Sequence, residues 1–314
     1  MDTIGGRPVL RFERRLAHPP DKVWKAITDP AEMAHWFPAK VETELKVGAT
    51  VRFHMDEIDD TTGEIVELDP PKLFVFRWDG DLLRFELIPD GSGCRMVFSH
   101  TLSGSATWGD ARFSAQHAAG WDGCLDLLAG RLDGVEVDSS MDDWFGRNER
   151  YVEDFGLAEG EVRDHPDGRL LRFERVLVQP AAEVWAALTT QDDHGDTTTP
   201  ALTVGTQPPP AATTSAVPDG RVTTVEQEHV LEYVWQSDAA DAGRVRWELT
   251  RQDFGCSLVL TQTVPTHAAG LVPKLLATWQ VHLEQFIAGR HNVTRPWPAD
   301  RVTTLQQHYA ERTA

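Results

Sequence analysis

Polar and apolar residues alternate along several short stretches of the first half of the chain. In residues 10–16, Leu10 and every second residue after it fall on one face, whereas Arg11, Glu13 and Arg15 fall on the other. This alternation is typical of a strand with one buried face. Further short strands are predicted at residues 51–55, 63–68, 73–78, 83–87 and 94–102. Tight turns separate consecutive strands, so the pattern indicates an antiparallel meander.

Helical periodicity appears on both sides of these strands. A short helix is predicted from Asp21, and a second one over residues 30–37 presents Met33 and two aromatic rings. After the last strand the period changes to 3.6, and one apolar stripe marks a long helix over residues 113–132. The stripe contains Phe113, His117, Trp121, Cys124, Leu125, Leu128 and Leu132. A sheet with one aromatic face predicts that this helix lies across that face.

The first strand and helix occur twice. Residues 10–28 and 171–189 are identical at 11 of 19 aligned positions, and later strands and helices follow in the same order. A repeat of this length identifies two copies of one domain. The sequence therefore predicts an α+β protein with a first domain at residues 1–155, a linker at 156–170 and a second domain at 171–314. We expect the two copies to pack on each other.

One stretch of the second copy has no counterpart in the first. Residues 191–219 are rich in proline and threonine and include three consecutive prolines at 208–210. Proline has no backbone N–H to donate, so a central strand is excluded there. The second domain is therefore expected to lack an edge strand and a pocket wall, and to carry a mobile loop in their place.

Composition and charge limit the class of protein and the partners that it could bind. The chain has 314 residues, of which 41% are hydrophobic and 25% charged, as in a globular protein. It has no clustered Lys and Arg, and its net charge is −19, which argues against nucleic acid and anionic membranes as partners. We expect no membrane insertion, because the longest apolar runs are only a few residues. Cys94 and Cys256 lie in apolar strands and are predicted to be buried free thiols. Without an evident signal peptide, these features favour the cytoplasm.

Several short motifs resemble one known superfamily. The first copy contains Arg14-x-Leu-x-x-Pro19, Val23-Trp24-x-Ala26 and Trp36-Phe37, and matching blocks continue to about residue 132. Further blocks are Gly63-x-Ile-Val-Glu-x-x-Pro70, Gly93-Cys-x-Met-Val-Phe-Ser-His100 and His117-x-x-Gly120-Trp121. Together they resemble the START-like superfamily, and within it the branch named for the carboxy-terminal domain of the Hsp90 ATPase activator. Residues 171 to about 289 resemble it more loosely.

The resemblance implies a helix-grip fold, in which a curved antiparallel sheet wraps a long C-terminal helix and leaves a cavity. The resemblance does not distinguish among functions, because START-like domains variously bind lipids and hydrophobic small molecules, cyclise polyketides or act as cochaperones. No cofactor is implied. The histidines show no metal-ligand spacing, and no nucleophile elbow or phosphate-binding loop is present.

Three polar residues on apolar faces are the candidates for chemistry. His117 lies on the helix stripe and has two interpretations: a ligand anchor or general acid–base, and a core histidine bonded to backbone. His100 shares a strand face with Met96 and Phe98, where it either contacts a ligand or stands in solvent at the strand end. Arg14, like Arg175 in the second copy, either forms a structural ion pair or binds a ligand carboxylate.

Aromatic residues supply the remaining pocket candidates, although sequence does not divide pocket lining from core. The full candidate set is Arg14, Trp36, Phe37, Phe53, Phe74, Phe76, Trp78, Phe85, Phe98, His100, His117 and Trp121. The leading hypothesis is that the first domain binds a hydrophobic small molecule and that the second is mainly structural. The alternatives are a cyclase or hydratase that uses the pocket histidines, and a cochaperone-like interaction protein.

Overall fold

The computed structural model describes residues 2–55, 58–104, 111–137, 141–190, 202–217, 220–237, 240–252, 255–293 and 299–313. Backbone contacts divide the chain into two units, Met1–Phe155 and Gly156–Ala314. Each unit contains one antiparallel sheet followed by a long helix, which is the helix-grip architecture predicted from the sequence. No helix among the described residues is long and apolar enough to cross a bilayer.

The first unit is built on an eight-stranded sheet. Its strands are β1 (Asp2–Ile4), β2 (Arg7–Leu16), β3 (Lys40–Glu42), β4 (Thr50–Met55), β5 (Ile58–Asp69), β6 (Leu73–Trp78), β7 (Asp81–Asp90) and β8 (Gly93–Thr101). Their order across the sheet is β1-β2-β8-β7-β6-β5-β4-β3. Its helices are α1 (Pro20–Thr28), α2 (Pro30–Met33), α3 (Ser114–Asp133) and α4 (Met141–Asp154).

The predicted alternation along the strands sets the core of this unit. On β2, Leu10, Phe12 and Leu16 are buried and Arg11 and Glu13 are exposed. Helix α3 packs on the same buried face, because the ring of Trp121 lies 4.7 Å from that of Phe98 on β8. Apolar burial of this kind contributes about 25 cal/mol per Å². The amphipathic pattern therefore fixes which side of the sheet the helix covers.

The second unit has a six-stranded sheet of related topology. Its strands are β9 (Glu161–His165), β10 (Gly168–Leu177), β11 (Gly220–Glu226), β12 (Val230–Ser237), β13 (Ala240–Arg251) and β14 (Cys256–Pro265), in the order β11-β12-β13-β14-β10-β9. Its helices are α5 (Ala181–Thr189), α6 (Val272–Arg290) and α7 (Ala299–Thr313).

Strand register is the same at matched positions of the two units. His100 on β8 faces Leu10 on one side and Leu83 on the other. Gln262 on β14 faces Leu171 and Val245 in the same way. Residues that match in sequence therefore occupy equivalent places in the two sheets.

Some sequence expectations need correction. Residues 161–165, assigned to a linker, form strand β9 because they pair with residues 168–172 of β10. The second helix was expected to reach residue 37, but α2 ends at Met33 and hydrogen-bonded turns follow it. Cys94 and Cys256 are buried free thiols, as predicted.

The Pro-rich stretch also differs from expectation. Residues 191–201 and 218–219 lie outside the described residues, and residues 202–217, here called the Pro-rich insert, contain no sheet strand. The insert is not the mobile loop expected, because Ala212 and Val217 are completely buried. The hydroxyl of Tyr233 on β12 donates to the carbonyl oxygen of Ala212 across 2.8 Å. The insert is therefore part of the packed interior of its unit.

Candidate ligand-binding site in the first unit

Five of the predicted site residues form one connected group. The rings of Phe37 and Trp78 lie 5.4 Å apart, and Phe37 and Trp121 lie 5.6 Å apart. His100 is 6.0 Å from Trp121 and 5.1 Å from His117. We call Phe37, Trp78, His100, His117 and Trp121 the open-end cluster, since they gather where β6 and β8 end and α3 begins.

Local sequence explains why these side chains meet. Trp78 ends β6 on the same strand face as Phe74 and Phe76, and it pairs with Asp81 at the start of β7. His117 and Trp121 are four residues apart on α3, so they lie on one face of the helix. The β6–β7 turn and the first turns of α3 therefore bring aromatic and imidazole rings to one end of the grip.

Both ring nitrogens of His100 are hydrogen-bonded. The indole Nε1–H of Trp121 donates to Nδ1 across 3.0 Å. An indole can only donate, so Nδ1 is unprotonated and the neutral ring carries its proton on Nε2. Nε2 then donates to Oδ2 of Asp81 across 2.7 Å. His100 therefore links α3 to β7 through two hydrogen bonds, which fix its tautomer. The interpretation that it stands in solvent is wrong, since only 4% of the residue is exposed.

Asp81 is the site residue that the sequence analysis missed. Its Oδ1 accepts from the backbone N–H of Ser103 across 2.7 Å, so both carboxylate oxygens have donors. Burial raises the pKa of Asp81, but the hydrogen bonds from His100 and Ser103 lower it more, and the net pKa lies below the ordinary value. A signal was available, because Asp81 shares the alternation of Leu83 and Phe85 and is the acidic residue on that inward face.

Trp78 and His117 are the most exposed members of the cluster. Both are half-buried, whereas Phe37 and Trp121 are buried. The indole N–H of Trp78 donates to Oγ1 of Thr61 across 2.7 Å, which holds the ring against Phe37. The ring of His117 stands nearly perpendicular to that of His100, at 82°. The cluster therefore has two partly exposed rings, Trp78 and His117, and two buried aromatic rings, Phe37 and Trp121.

The other predicted pocket rings form a sealed core. A side chain that lines a cavity able to hold water retains accessible surface, even when the cavity is closed. Each of these rings is at most 3% exposed: Trp36, Phe53, Phe74, Phe76, Phe85 and Phe98. They pack on each other, as shown by the ring separations of 4.9 Å between Phe74 and Phe76 and 4.5 Å between Phe85 and Phe98. The indole of Trp36 also donates to the carbonyl oxygen of Ala26.

The guanidinium of Arg14 is held in ion pairs with carboxylates of α3. Its guanidinium contacts Asp122 and lies 3.7 Å from Asp126, both on α3. Arg147 on α4 reaches the same carboxylates at 3.1 and 2.6 Å. The four charges connect β2, α3 and α4. Arg14 therefore has carboxylate partners within the protein, as expected of a partly buried guanidinium.

Within the described ranges, no group of three or more His, Cys, Asp or Glu residues is placed to hold a metal ion. The arrangement of the open-end cluster suits an apolar molecule, because its members are rings and the polar groups of Trp78, His100 and Trp121 are hydrogen-bonded within the protein. A small apolar ligand at such a surface gains from removal of ring area from water.

Part of the first unit matches a known family model. Residues 17–133 match the family model described as "Activator of Hsp90 ATPase homolog 1-like protein". No curated protein matches the chain. Among solved structures, the chain is similar to CalU16 from Micromonospora echinospora, with 22% identity and a TM-score of 0.40, covering 48% of this chain and 92% of that one.

Two further solved structures are similar to the chain. The protein EF2215 from Enterococcus faecalis, described as a conserved protein of unknown function, has 20% identity and a TM-score of 0.42, covering 49% of this chain and 87% of that one. The Aha1 dimer from Colwellia psychrerythraea has 18% identity and a TM-score of 0.35, covering 40% of this chain and 96% of that one.

Proposed function

We propose that the first unit is a binding module for a hydrophobic small molecule. Its residues 17–133 match the model of the Hsp90-activator-like family. The ligand contacts the open-end cluster. The observation that carries this proposal is that Trp78 and His117 are half-buried in a cluster whose other aromatic rings, Phe37 and Trp121, are buried. An apolar molecule that covers these two rings would remove aromatic surface from water.

The hydrogen bonds of the cluster favour binding over catalysis. General acid–base catalysis needs a group within hydrogen-bond reach of the substrate. His100 already uses Nδ1 for Trp121 and Nε2 for Asp81, and the second carboxylate oxygen of Asp81 is bonded to Ser103. Within the network, these groups orient Trp121 rather than offer a proton to a substrate.

The second unit has a structural role in this proposal. Gln262 replaces His100 at the matched strand position, and Leu275 replaces His117 on the helix. Leu275 and Trp279 are buried, and the Pro-rich insert packs against the same interior. The equivalent of the open-end cluster therefore presents no half-exposed ring at these two positions.

Binding of anilinonaphthalene sulfonate tests the proposal. Wild type is expected to enhance the fluorescence of this apolar probe saturably, and Trp78→Ala is expected to weaken its binding about tenfold by removing one face of the site. The matched control is Trp24→Ala, because Trp24 is also half-buried but packs against Phe74, 6.3 Å away. Equal effects of the two substitutions would overturn the proposal.

An acid–base enzyme of the cyclase or hydratase kind is the second candidate. It is favoured by the half-buried position of His117 beside His100 at one end of an apolar interior. This candidate requires that His117→Ala abolish turnover of a substrate while the free energy of unfolding changes little. Turnover that survives the substitution would exclude His117 as the catalytic group.

A cochaperone-like role is the third candidate and rests on the description of the matching family. It requires that the purified chain stimulate the ATPase rate of purified Hsp90. An unchanged rate at saturating protein would contradict it.

A further inference from the structure

The Pro-rich insert enters the interior of the second unit through Pro209 and the short turn that follows it. Pro209 has φ −59° and ψ 149°, the dihedral angles of a polyproline II segment, and it is buried. A single 3-10 turn over Pro210–Ala212 follows it. The insert supplies backbone carbonyls where the first unit supplies α2 and the rings that follow it.

Side chains of three elements form hydrogen bonds with two adjacent backbone carbonyls of the insert. Tyr233 on β12 donates to the carbonyl oxygen of Ala212 across 2.8 Å, and Nε1 of Trp247 on β13 donates to the same oxygen across 3.2 Å. Nε2 of His282 on α6 lies 2.8 Å from the carbonyl oxygen of Ala211. Burial lowers the pKa of His282, which favours the neutral ring with its proton on Nε2.

These donors are absent from matched positions of the first unit. Repeat alignment and strand register place Phe76 and Phe85 where the second unit has Tyr233 and Trp247. The helix position of His282 holds Cys124.

In the first unit, rings cover this face instead of backbone. Trp36 lies 6.1 Å from Phe85, and Phe37 lies 6.3 Å from Phe76. Rings need no hydrogen-bond donor from the sheet, whereas buried carbonyls do. The second unit therefore has hydrogen-bond donors on this face because a peptide backbone packs there.

Aromatic side chains that donate to backbone carbonyls of a Pro-rich segment are typical of polyproline recognition. Here the accepting carbonyls belong to Ala211 and Ala212, which directly follow the three prolines. The second unit offers an aromatic surface in the rings of Trp247 and Trp279, 5.7 Å apart, together with phenol, indole and imidazole donors. We propose that the second unit carries a binding groove for a Pro-rich peptide, formed by Tyr233, Trp247, Trp279 and His282, and that the chain's own insert occupies this groove in cis.

Occupation in cis has a measurable consequence. A tethered segment acts at an effective concentration in the millimolar range, so a free peptide does not compete measurably with the intact insert. A peptide of the same chemistry binds in trans once the insert is displaced. The groove is thus a peptide site that is distinct from the open-end cluster, which takes an apolar small molecule in the first unit.

Substitution of a buried alanine empties the groove in the full chain. Ala212 is completely buried, so Ala212→Asp would place a carboxylate among aromatic rings and is expected to expel the insert. Ala216→Asp is the matched control, because Ala216 lies on the same insert and is half-buried. The probe is a fluorescein-labelled synthetic peptide with the sequence of residues 206–217, followed by anisotropy.

The expected result is saturable binding of the peptide to Ala212→Asp and no binding to wild type or Ala216→Asp. Adding Tyr233→Phe to Ala212→Asp should weaken the peptide about tenfold, because one buried carbonyl loses a donor. A peptide with serine in place of the three prolines should not bind. A folded Ala212→Asp chain that fails to bind the Pro-rich peptide would overturn the proposal.

Hydrogen exchange of wild type decides the question even where Ala212→Asp unfolds the unit. The amides of Ala212 and Thr213 bond to carbonyls within the insert. Release of the insert as a segment predicts that these amides exchange through an opening that leaves the amides of β12 and β13 protected. Exchange of both sets through one common opening would contradict the proposal, since the groove would then empty only when the unit unfolds.

Discussion

The indole of Trp121 on the long helix donates to Nδ1 of His100 on the last strand across 3.0 Å. Trp279 makes the same connection in the second unit, donating to Oε1 of Gln262 across 2.6 Å. The helix tryptophan is common to both units, while the strand acceptor is an imidazole in one and an amide in the other. The hydrogen bond therefore joins helix to sheet, and His100 is one of two acceptors that serve this role.

Exchange of the acceptor tests this interpretation. His100→Gln should lower the free energy of unfolding by less than about 1 kcal/mol, because a glutamine accepts from Trp121 and donates to Asp81. His100→Leu leaves both partners unsatisfied and should cost about 1–3 kcal/mol. Urea unfolding followed by tryptophan fluorescence measures both. Equal losses for the two variants would show that the hydrogen bonds contribute little.

Asp81 makes the stability of the first unit depend on acid pH. The pKa of Asp81 is lowered in the folded state, so the stabilisation is fully present above its unfolded value near 3.8 and is lost as pH falls through the folded value. Asp81→Asn lacks this titration and cannot accept equally well from His100 and Ser103. It should therefore be less stable than wild type at neutral pH and should lose less stability between about pH 5 and pH 2.

The control for this pH effect is Glu64→Gln, because Glu64 is exposed on β5. It should keep the wild-type dependence of unfolding free energy on pH. Parallel curves for Asp81→Asn and wild type would mean that Asp81 does not supply the acid-sensitive stabilisation.

The tyrosines of the two C-terminal helices provide a matched pair. The hydroxyl of Tyr309 donates to Oε1 of Gln280 across 2.6 Å and accepts from the backbone N–H of Gly160 across 2.8 Å. Tyr309→Phe leaves two buried polar groups unpaired and should cost about 1–3 kcal/mol. Burial raises the pKa of this phenol to about 12, so its titration should be seen only at very alkaline pH.

Tyr151 occupies the matched position in the first unit and is only half-buried. Its ring packs on Phe12 and Phe155, at 6.3 and 5.5 Å. Tyr151→Phe preserves these contacts and should change the free energy of unfolding by less than about 0.5 kcal/mol. If the two substitutions proved equally costly, the hydrogen bonds of Tyr309 would not explain its effect.

The fold follows from local pattern to a large extent. Alternation such as Leu83, Phe85 and Leu87 predicts the strand and its buried face, and the stripe through Trp121 predicts the helix that covers it. The resemblance to the Hsp90 activator branch, which rests on short motifs, is confirmed for residues 17–133. These features are predictable because burial of one face is encoded residue by residue.

Features that depend on tertiary partners are not predicted. Strand β9 has only five residues, and it is defined by its pairing with β10. The placement of Ala211 and Ala212 depends on side chains more than twenty residues away in β12, β13 and α6. Pairing of Asp81 with His100 likewise joins two strands. Composition marks such segments as polar or Pro-rich but carries no information about which surface they meet.

The sequence also does not separate the rings of the candidate site from the rings of the core. Phe76 and Trp78 share one strand face, and the sequence places both in the candidate pocket. Phe76 is sealed at 1% exposure, whereas Trp78 is half-buried at the strand end. Position along the strand, rather than residue type, separates core from candidate site.

The measurement that tests the central claim most directly is native mass spectrometry of wild type and His117→Leu, each purified from the protein's own host. The substitution copies Leu275 of the second unit and keeps the apolar helix stripe. His35→Leu is the control, because His35 is exposed. An apolar compound retained by wild type and by His35→Leu but lost from His117→Leu is the expected result. Wild type without any bound compound, or equal retention by all three proteins, would contradict the account.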